Sequence, residues 1–368
     1  MSRRHVLALA TASAVLSGSP HLAFAQADPG AVYTTSNAPA GNQILIFTRG
    51  ADGTLTAAGS VATGGAGTGG GLGNQGALTL SDDGRWLLAV NAASNDVSLF
   101  AVRANGVELT DLASSAGVRP VSVTVHNDLV YVLNAGDDTV SGLRITPHGR
   151  LAPIDGSTRG LSGSGTGPAQ VAFTPDGRVL VVTEKNTNLI DTFQIGGDGR
   201  LADARMLPSH GATPFGFAFG KRDQLFISEA FGGAANASAV SSYDVDRDGS
   251  VTLESGSVPT NQSAACWVLV TKGGRFAYTS NTGSGSISAF GIDHDGGLAL
   301  LTPTGRTGVT GAGSAPIDLA SSDDGRFLFS LNSAAHTIGA FRIESDGQLV
   351  ALPFASGLPA GANGLAAR

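Results

Sequence analysis

Pro168-Ala169-Gln170-Val171-Ala172-Phe173-Thr174-Pro175-Asp176-Gly177-Arg178-Val179-Leu180-Val181-Val182-Thr183-Glu184 reads as two apolar strands joined by a tight turn. Asp-Gly supplies the positive φ that a hairpin turn demands, and the Val and Leu runs suit a pleated, buried surface. The turn recurs at Asp83-Gly84-Arg85, Asn127-Asp128, Arg222-Asp223, Gly273-Gly274-Arg275 and Asp324-Gly325-Arg326, each followed by an apolar strand such as Trp86-Leu87-Leu88-Ala89-Val90. With the stretch quoted, that makes six. A second series of seven interleaves with it: Asp52-Gly53, Asn105-Gly106, His148-Gly149, Asp198-Gly199, Asp248-Gly249, Asp295-Gly296 and Asp346-Gly347. The repeat is about 50 residues long, and two hairpin turns per repeat imply four antiparallel strands. The expected fold is all-β, a seven-bladed β-propeller with four antiparallel strands per blade.

The mismatch between seven turns and six locates the closure of the ring. Val32-Tyr33-Thr34-Thr35 aligns with a second strand, so the first blade lacks its first strand. Gly361-Ala362-Asn363-Gly364-Leu365-Ala366 can supply it from the other end, which removes the open edge of the sheet. Two separate β-sandwiches would predict no such complementary ends. Composition agrees: 42% of the 368 residues are hydrophobic and 14% charged, enough for a large core, and 53 Gly with 15 Pro suit many short strands and turns.

A net charge of −7 with no basic cluster argues against a nucleic-acid or anionic-membrane partner. Residues 1–25 read as a cleavable export signal: Arg3 and Arg4, an apolar run from Val6 to Leu16, then Ala23-Phe24-Ala25. Ser2-Arg3-Arg4-His5-Val6-Leu7 resembles a twin-arginine motif with Val where Phe is usual. The expectation is one propeller domain over 26–368, periplasmic or secreted. No later run reaches the roughly 18 apolar residues of a membrane span, so no membrane insertion is expected after cleavage. Cys266 is the sole cysteine, which rules out an intrachain disulfide. A monomer without cofactor or metal is expected.

Strand order puts both short turn series on one face, the bottom. The opposite, top face carries the longer loops 64–76, 157–167, 232–239 and 305–313 around the central channel, where ligand sites gather on a rigid scaffold. Each second strand ends at the top with Asn37, Asn91, Asn134, Glu184, Glu229, Asn281 or Asn332. A repeated Asn is explained by repeated turn-capping geometry. Glu184 and Glu229 are the departures, and the connection between their blades carries His210. His126, His148 and His294 fall at bottom turns, leaving His210 and His336 on top. Two carboxylates and an imidazole can divide general-base and general-acid work; the plainer reading is a solvated ion cluster with Lys185. Gln170, Phe215 and Cys266-Trp267 fall near the channel ends of first strands, as channel wall or core.

Other signals fail. Asp244-Val245-Asp246-Arg247-Asp248-Gly249 begins like a calcium loop, but the twelfth position is Ser255 and the segment is already a hairpin turn. The run Gly64-Gly65-Ala66-Gly67-Thr68-Gly69-Gly70-Gly71-Leu72-Gly73 lacks the Gly-Lys-Ser/Thr of a phosphate cradle and reads as a flexible loop.

The unit Pro-x-x-Val-x-Phe-Thr-Pro-Asp-Gly-Arg-x-Leu-x-Val, followed by Glu or Asn and later by Asp-Gly-x-Leu, resembles the lactonase-type seven-bladed propellers. That family groups bacterial 6-phosphogluconolactonases with fungal carboxymuconate-lactonizing enzymes, and the resemblance spans about residue 31 to 368. It implies that Glu184 and Glu229 occupy acidic strand-end positions, and that a His and an Arg on the same face bind or activate substrate. His210 is the candidate His; Arg119 or Arg159 is the candidate Arg. The reading is hydrolysis, or the reverse closure, of a small non-phosphorylated lactone. Glu184 or Glu229 activates water, His210 protonates the leaving alkoxide, and Arg119 or Lys185 holds the oxyanion or a substrate carboxylate, with Gln170 and Phe215 as further substrate contacts. The alternatives are a non-catalytic propeller binding a carbohydrate, peptide or surface partner, and a redox propeller with a quinone cofactor.

Overall fold

The computed structural model describes Met1 and residues 30–368; the export signal expected over 1–25 lies, Met1 apart, outside the described residues. Seven antiparallel sheets, each a path of four strands, follow one another along the chain. We number them blades 1 to 7 and count strands outward from the axis. The first strands are Asn363–Ala367, Leu78–Leu80, Pro120–His126, Pro168–Phe173, Pro214–Phe219, Ala265–Val270 and Pro316–Ser321. Each touches the next in an unbroken ring around the channel. Second strands are almost wholly buried, as in Leu129–Asn134 and Val179–Glu184, while fourth strands such as Val251–Pro259 face solvent. No helix among the described residues is long and apolar enough to cross a membrane.

Blade 1 closes as expected. Asn363–Ala367 pairs antiparallel with Gly30–Thr35, Thr34 facing Leu365 and Val32 facing Ala367, and Arg368 N–H donates to the Ala31 carbonyl at 2.9 Å. The bottom turns also stitch blades together. Tyr131 of blade 3 donates its hydroxyl to Gly199 O in the turn of blade 4 at 2.6 Å, and Tyr278 of blade 6 to Gly347 O of blade 7 at 2.9 Å. A Cβ at Gly347, where φ is +84°, would lie 2.7 Å from the Phe276 ring, so this turn needs glycine for contact as well as conformation.

Three first strands are latched to the next by the side chain at one repeated position. Ser122 Oγ accepts Val171 N–H at 3.2 Å; the Gln170 amide accepts Phe217 N–H at 2.6 Å and donates to Phe217 O at 3.0 Å; Asp318 Oδ2 accepts Leu365 N–H at 3.0 Å across the closure. Blade 5 has Gly216 there and cannot make the bond. The glycine-rich run supplies the substitute, because the chain after it leaves the top surface and crosses the channel. Gly73 O receives Lys185, Asn74 donates to Val121 O, and Gln75 N–H donates to Ala169 O at 3.0 Å. The Gln75 amide then makes to Val268 the same paired bonds that Gln170 makes to Phe217, at 3.0 and 2.8 Å. A Cβ on Gly216 would overlap Gln75 Oε1. The surface loop expected over 64–76 therefore ends as a channel plug, and Gln170, expected to touch substrate, has its amide committed to the backbone of the next blade.

Candidate functional site

At the top, the residue closing each second strand holds a neighbouring loop. Asn91 donates to Ser98 Oγ at 2.8 Å, Asn134 to Ser141 at 2.8 Å and Asn281 to Ser288 at 2.9 Å. Each serine passes its own proton to a loop carbonyl, Ser98 to Thr63 O at 2.9 Å and Ser141 to Ser115 O at 2.5 Å in the preceding loop, and Ser288 to Gly305 O at 2.6 Å in the following one. Glu229 keeps the arrangement with the bond reversed: Ser241 Oγ donates to it at 2.5 Å, Gly211 N–H at 2.8 Å and Ser257 Oγ at 2.7 Å. Since Ser257 gives its proton to Glu229, its oxygen accepts Nδ1–H of the exposed His210 at 2.9 Å. His210 and Glu229 are thus joined through Ser257.

Glu184 has partners of its own, Ser162 N–H at 2.9 Å, Ser162 Oγ at 2.5 Å and Thr187 Oγ. Asp191 occupies the serine position of this blade, facing Val182 as Ser241 faces Ile227. Burial, then the neighbouring Glu184 carboxylate, push Asp191 up to about 8. Both of its oxygens are buried without a hydrogen-bond partner among the described residues, so the uncharged, protonated form is the one favoured at neutral pH. Glu184 and Glu229 are both fully enclosed, 0% exposed, and each accepts three hydrogen bonds. Enclosure of this kind anchors loops and keeps either carboxylate from substrate, so the water-activating role expected of them has to be sought elsewhere.

One residue past these strand ends lies the channel mouth. The backbone N–H groups of Ala135, Lys185, Ala230, Thr282 and Ser333 donate to Arg119, Gly167, Thr213, Ala264 and Ala315, all left-handed residues that open a first strand. The φ of +55° at Arg119 belongs to this repeated bend. Lys185 is the single cation among those five donors. Its Nζ donates to Gly73 O of the plug and to Pro168 O at 3.3 Å, and lies 4.9 Å from the ring centroid of Phe215. Phe215 packs on Trp267 at 5.0 Å and forms the wall. Burial pushes Lys185 down to about 8, the charge of exposed Arg119 adding to the effect. Cys266, beside them, is pushed up to about 12 by burial and is no nucleophile. The structure thus gathers Lys185, Phe215 and Arg119 at the mouth. The role of Lys185 there was not legible, because its acceptor Gly73 lies 112 residues away.

Fold and site together define a closed propeller with a plugged channel and a cationic, aromatic-walled mouth. The family model described as lactonase, 7-bladed β-propeller, matches residues 9–163, 111–248 and 221–313, and the chain belongs to that family. A 6-phosphogluconolactonase of Pectobacterium atrosepticum is 23% identical over 238 residues, covering 61% of this chain and 69% of that protein. The periplasmic gluconolactonase of Pseudomonas aeruginosa superimposes with a TM-score of 0.72 at 18% identity, covering 91% of this chain and 98% of that one. A protein from Lactobacillus plantarum does so with a TM-score of 0.73 at 19% identity, over 92% and 98%. At these identities the two structures speak for the fold.

Proposed function

We propose that the chain hydrolyses, or in reverse closes, a small non-phosphorylated lactone at the channel mouth, with Lys185 as general base, and that it works outside the cytoplasm as its N-terminal motif suggests. The observation that carries this is the hydrogen-bond count at Lys185. A neutral amine has two hydrogens and one lone pair; Gly73 O and Pro168 O take the hydrogens, leaving the lone pair for a water. A base titrating near 8 is well matched to proton abstraction around neutral pH. Water attacks the lactone carbonyl carbon and gives its proton to Lys185 Nζ, while the carbonyl oxygen becomes an oxyanion facing Arg119. The ring C–O bond then breaks, and the departing oxygen takes the proton back from Lys185. With the ammonium form of Lys185 tied to two carbonyls, Arg119 is, among the described residues, the cation left at the mouth without an ion pair, which favours a neutral or singly charged substrate over a phosphate dianion.

The test uses protein lacking residues 1–25 and a panel of sugar, aliphatic and aromatic-derived lactones. kcat/KM should rise with pH and level off above about 8. Lys185→Arg, which retains charge and donors, should lower it by roughly 10²–10⁴-fold while the protein stays folded. Unchanged turnover in Lys185→Arg refutes the assignment. A second reading rests on the Glu229–Ser257–His210 chain: loss of turnover in His210→Asn with Lys185→Arg unaffected would move the chemistry there. No turnover on any lactone would favour the binding propeller.

A further inference from the structure

Beside the plug, in the channel, lies a cavity of about 260 Å³, lined by Gln75 and Gly76 and by first strands of blades 1, 2, 4 and 7. Among the described residues, Asp318 is the one ionisable side chain of its lining, and it is 3% exposed. Its Oδ1 accepts Leu319 N–H at 2.8 Å and its Oδ2 accepts Leu365 N–H at 3.0 Å. These bonds fix the carboxyl and leave each oxygen a further lone pair. No Lys, Arg or His among the described residues forms an ion pair with it. The other polar lining groups include the Gln75 and Gln170 amides, whose oxygens already accept backbone N–H bonds. A carboxyl held by two N–H donors yet lacking a counter-charge is half of a site. Burial without a cation pushes it up to about 8.

We propose that this cavity binds a small hydrated cation, held directly by the Asp318 carboxylate and through water by the remaining walls. Size supports the hydrated form: one water needs only about 10–15 Å³ of such space, so the cavity admits a cation together with several waters. Oxygen-only donors select hard cations, and a single protein carboxylate sets affinity in roughly the millimolar range.

The experiment is a thermal-unfolding titration of the full propeller with CaCl₂, MgCl₂, NaCl or methylammonium chloride, ionic strength being held with tetramethylammonium chloride. A saturable rise in Tm with a metal salt, absent in Asp318→Asn, supports the proposal; a rise with methylammonium alone overturns the hydrated metal cation in favour of an organic one. No saturable response to any salt, or an equal response in Asp318→Asn, overturns it. Should Asp318→Asn fail to fold, wild-type calorimetry in two buffers of different ionisation enthalpy decides. Binding must release a proton at pH 6, and binding without release overturns the proposal.

Discussion

Replacing Asp191 by Ser should make the protein more stable at alkaline pH, by an amount that the structure sets. Blade 5 is the internal template, since Ser241 sits at the same position and donates to Glu229 at 2.5 Å, so the introduced hydroxyl has a ready acceptor in Glu184. Asp191 is raised from its ordinary 3.8 to about 8. Between those values the unfolded chain has released the proton while the folded chain still holds it, so stability falls as pH rises through this window and is flat on either side. Four units at about 1.36 kcal/mol each give about 5 kcal/mol across the window. Asp318 is raised in the same direction, and turn carboxyls such as Asp83 and Asp324 are held low by their hydrogen-bond and arginine partners. These contributions are common to both proteins and cancel in the difference. The assay is urea unfolding of wild type and Asp191→Ser at several pH values from 4.5 to 8.5, compared only where m is unchanged. The stability of the variant minus that of wild type must climb with pH. A flat or falling difference would refute a protonated Asp191.

Two further tests address the ring. Gln75→Ala leaves the buried N–H and C=O of Val268 without their partners and should cost about 1–3 kcal/mol, read as a lower Tm. Gly216→Ala should destabilise more, because its Cβ would overlap Gln75 Oε1 and lie 2.5 Å from the Cys266 carbonyl; truncating Gln75 removes the first clash, so the double variant should lose less than the sum of the two single losses, and additive losses would contradict the plug. Deleting residues 363–368 removes the first strand of blade 1 and exposes the edge of the fully buried Gly30–Thr35. Aggregation or loss of the cooperative transition is expected by size exclusion and circular dichroism, and a monomer with native Tm would show that closure is dispensable.

The turns, blade count and closure were legible because each rests on local chemistry: Asp-Gly and Asn-Gly need no distant partner to declare a hairpin. Gln75 was not legible, since its meaning depends on an absent side chain at Gly216, 141 residues on, and between them the chain reads as strands and turns. Asp191 could have been found. Asn91 and Ser98, Asn134 and Ser141, and Asn281 and Ser288 stand seven residues apart, as do Glu184 and Asp191, but a longer loop separates Glu229 from Ser241 by twelve and hides the rule. The two glutamates stood out as departures from the repeat, yet composition alone could not tell that Ser162, Thr187, Ser241 and Ser257 would satisfy them.

Departure from a repeat is therefore an ambiguous signal until one asks what compensates it. Gly216 loses a latch and Gln75 restores it with the same two bonds. Glu229 replaces an Asn and finds Ser241 still in place; Glu184 replaces another and finds a protonated Asp191. In each case the substitution closes on itself within the fold, and stability is enough to explain it. Lys185 differs. The positions equivalent to it hold Ala38, Ala92, Ala135, Ala230, Thr282 and Ser333, all small, and the ring closes without a cation there. Its contacts are two carbonyls and an aromatic face, with no carboxylate, and desolvation costs it part of its charge. A lysine with carbonyl and aromatic partners but no carboxylate, and with its base form reached near pH 8, has no equivalent in the other blades, and it is on this departure that the proposal of base-assisted lactone opening rests.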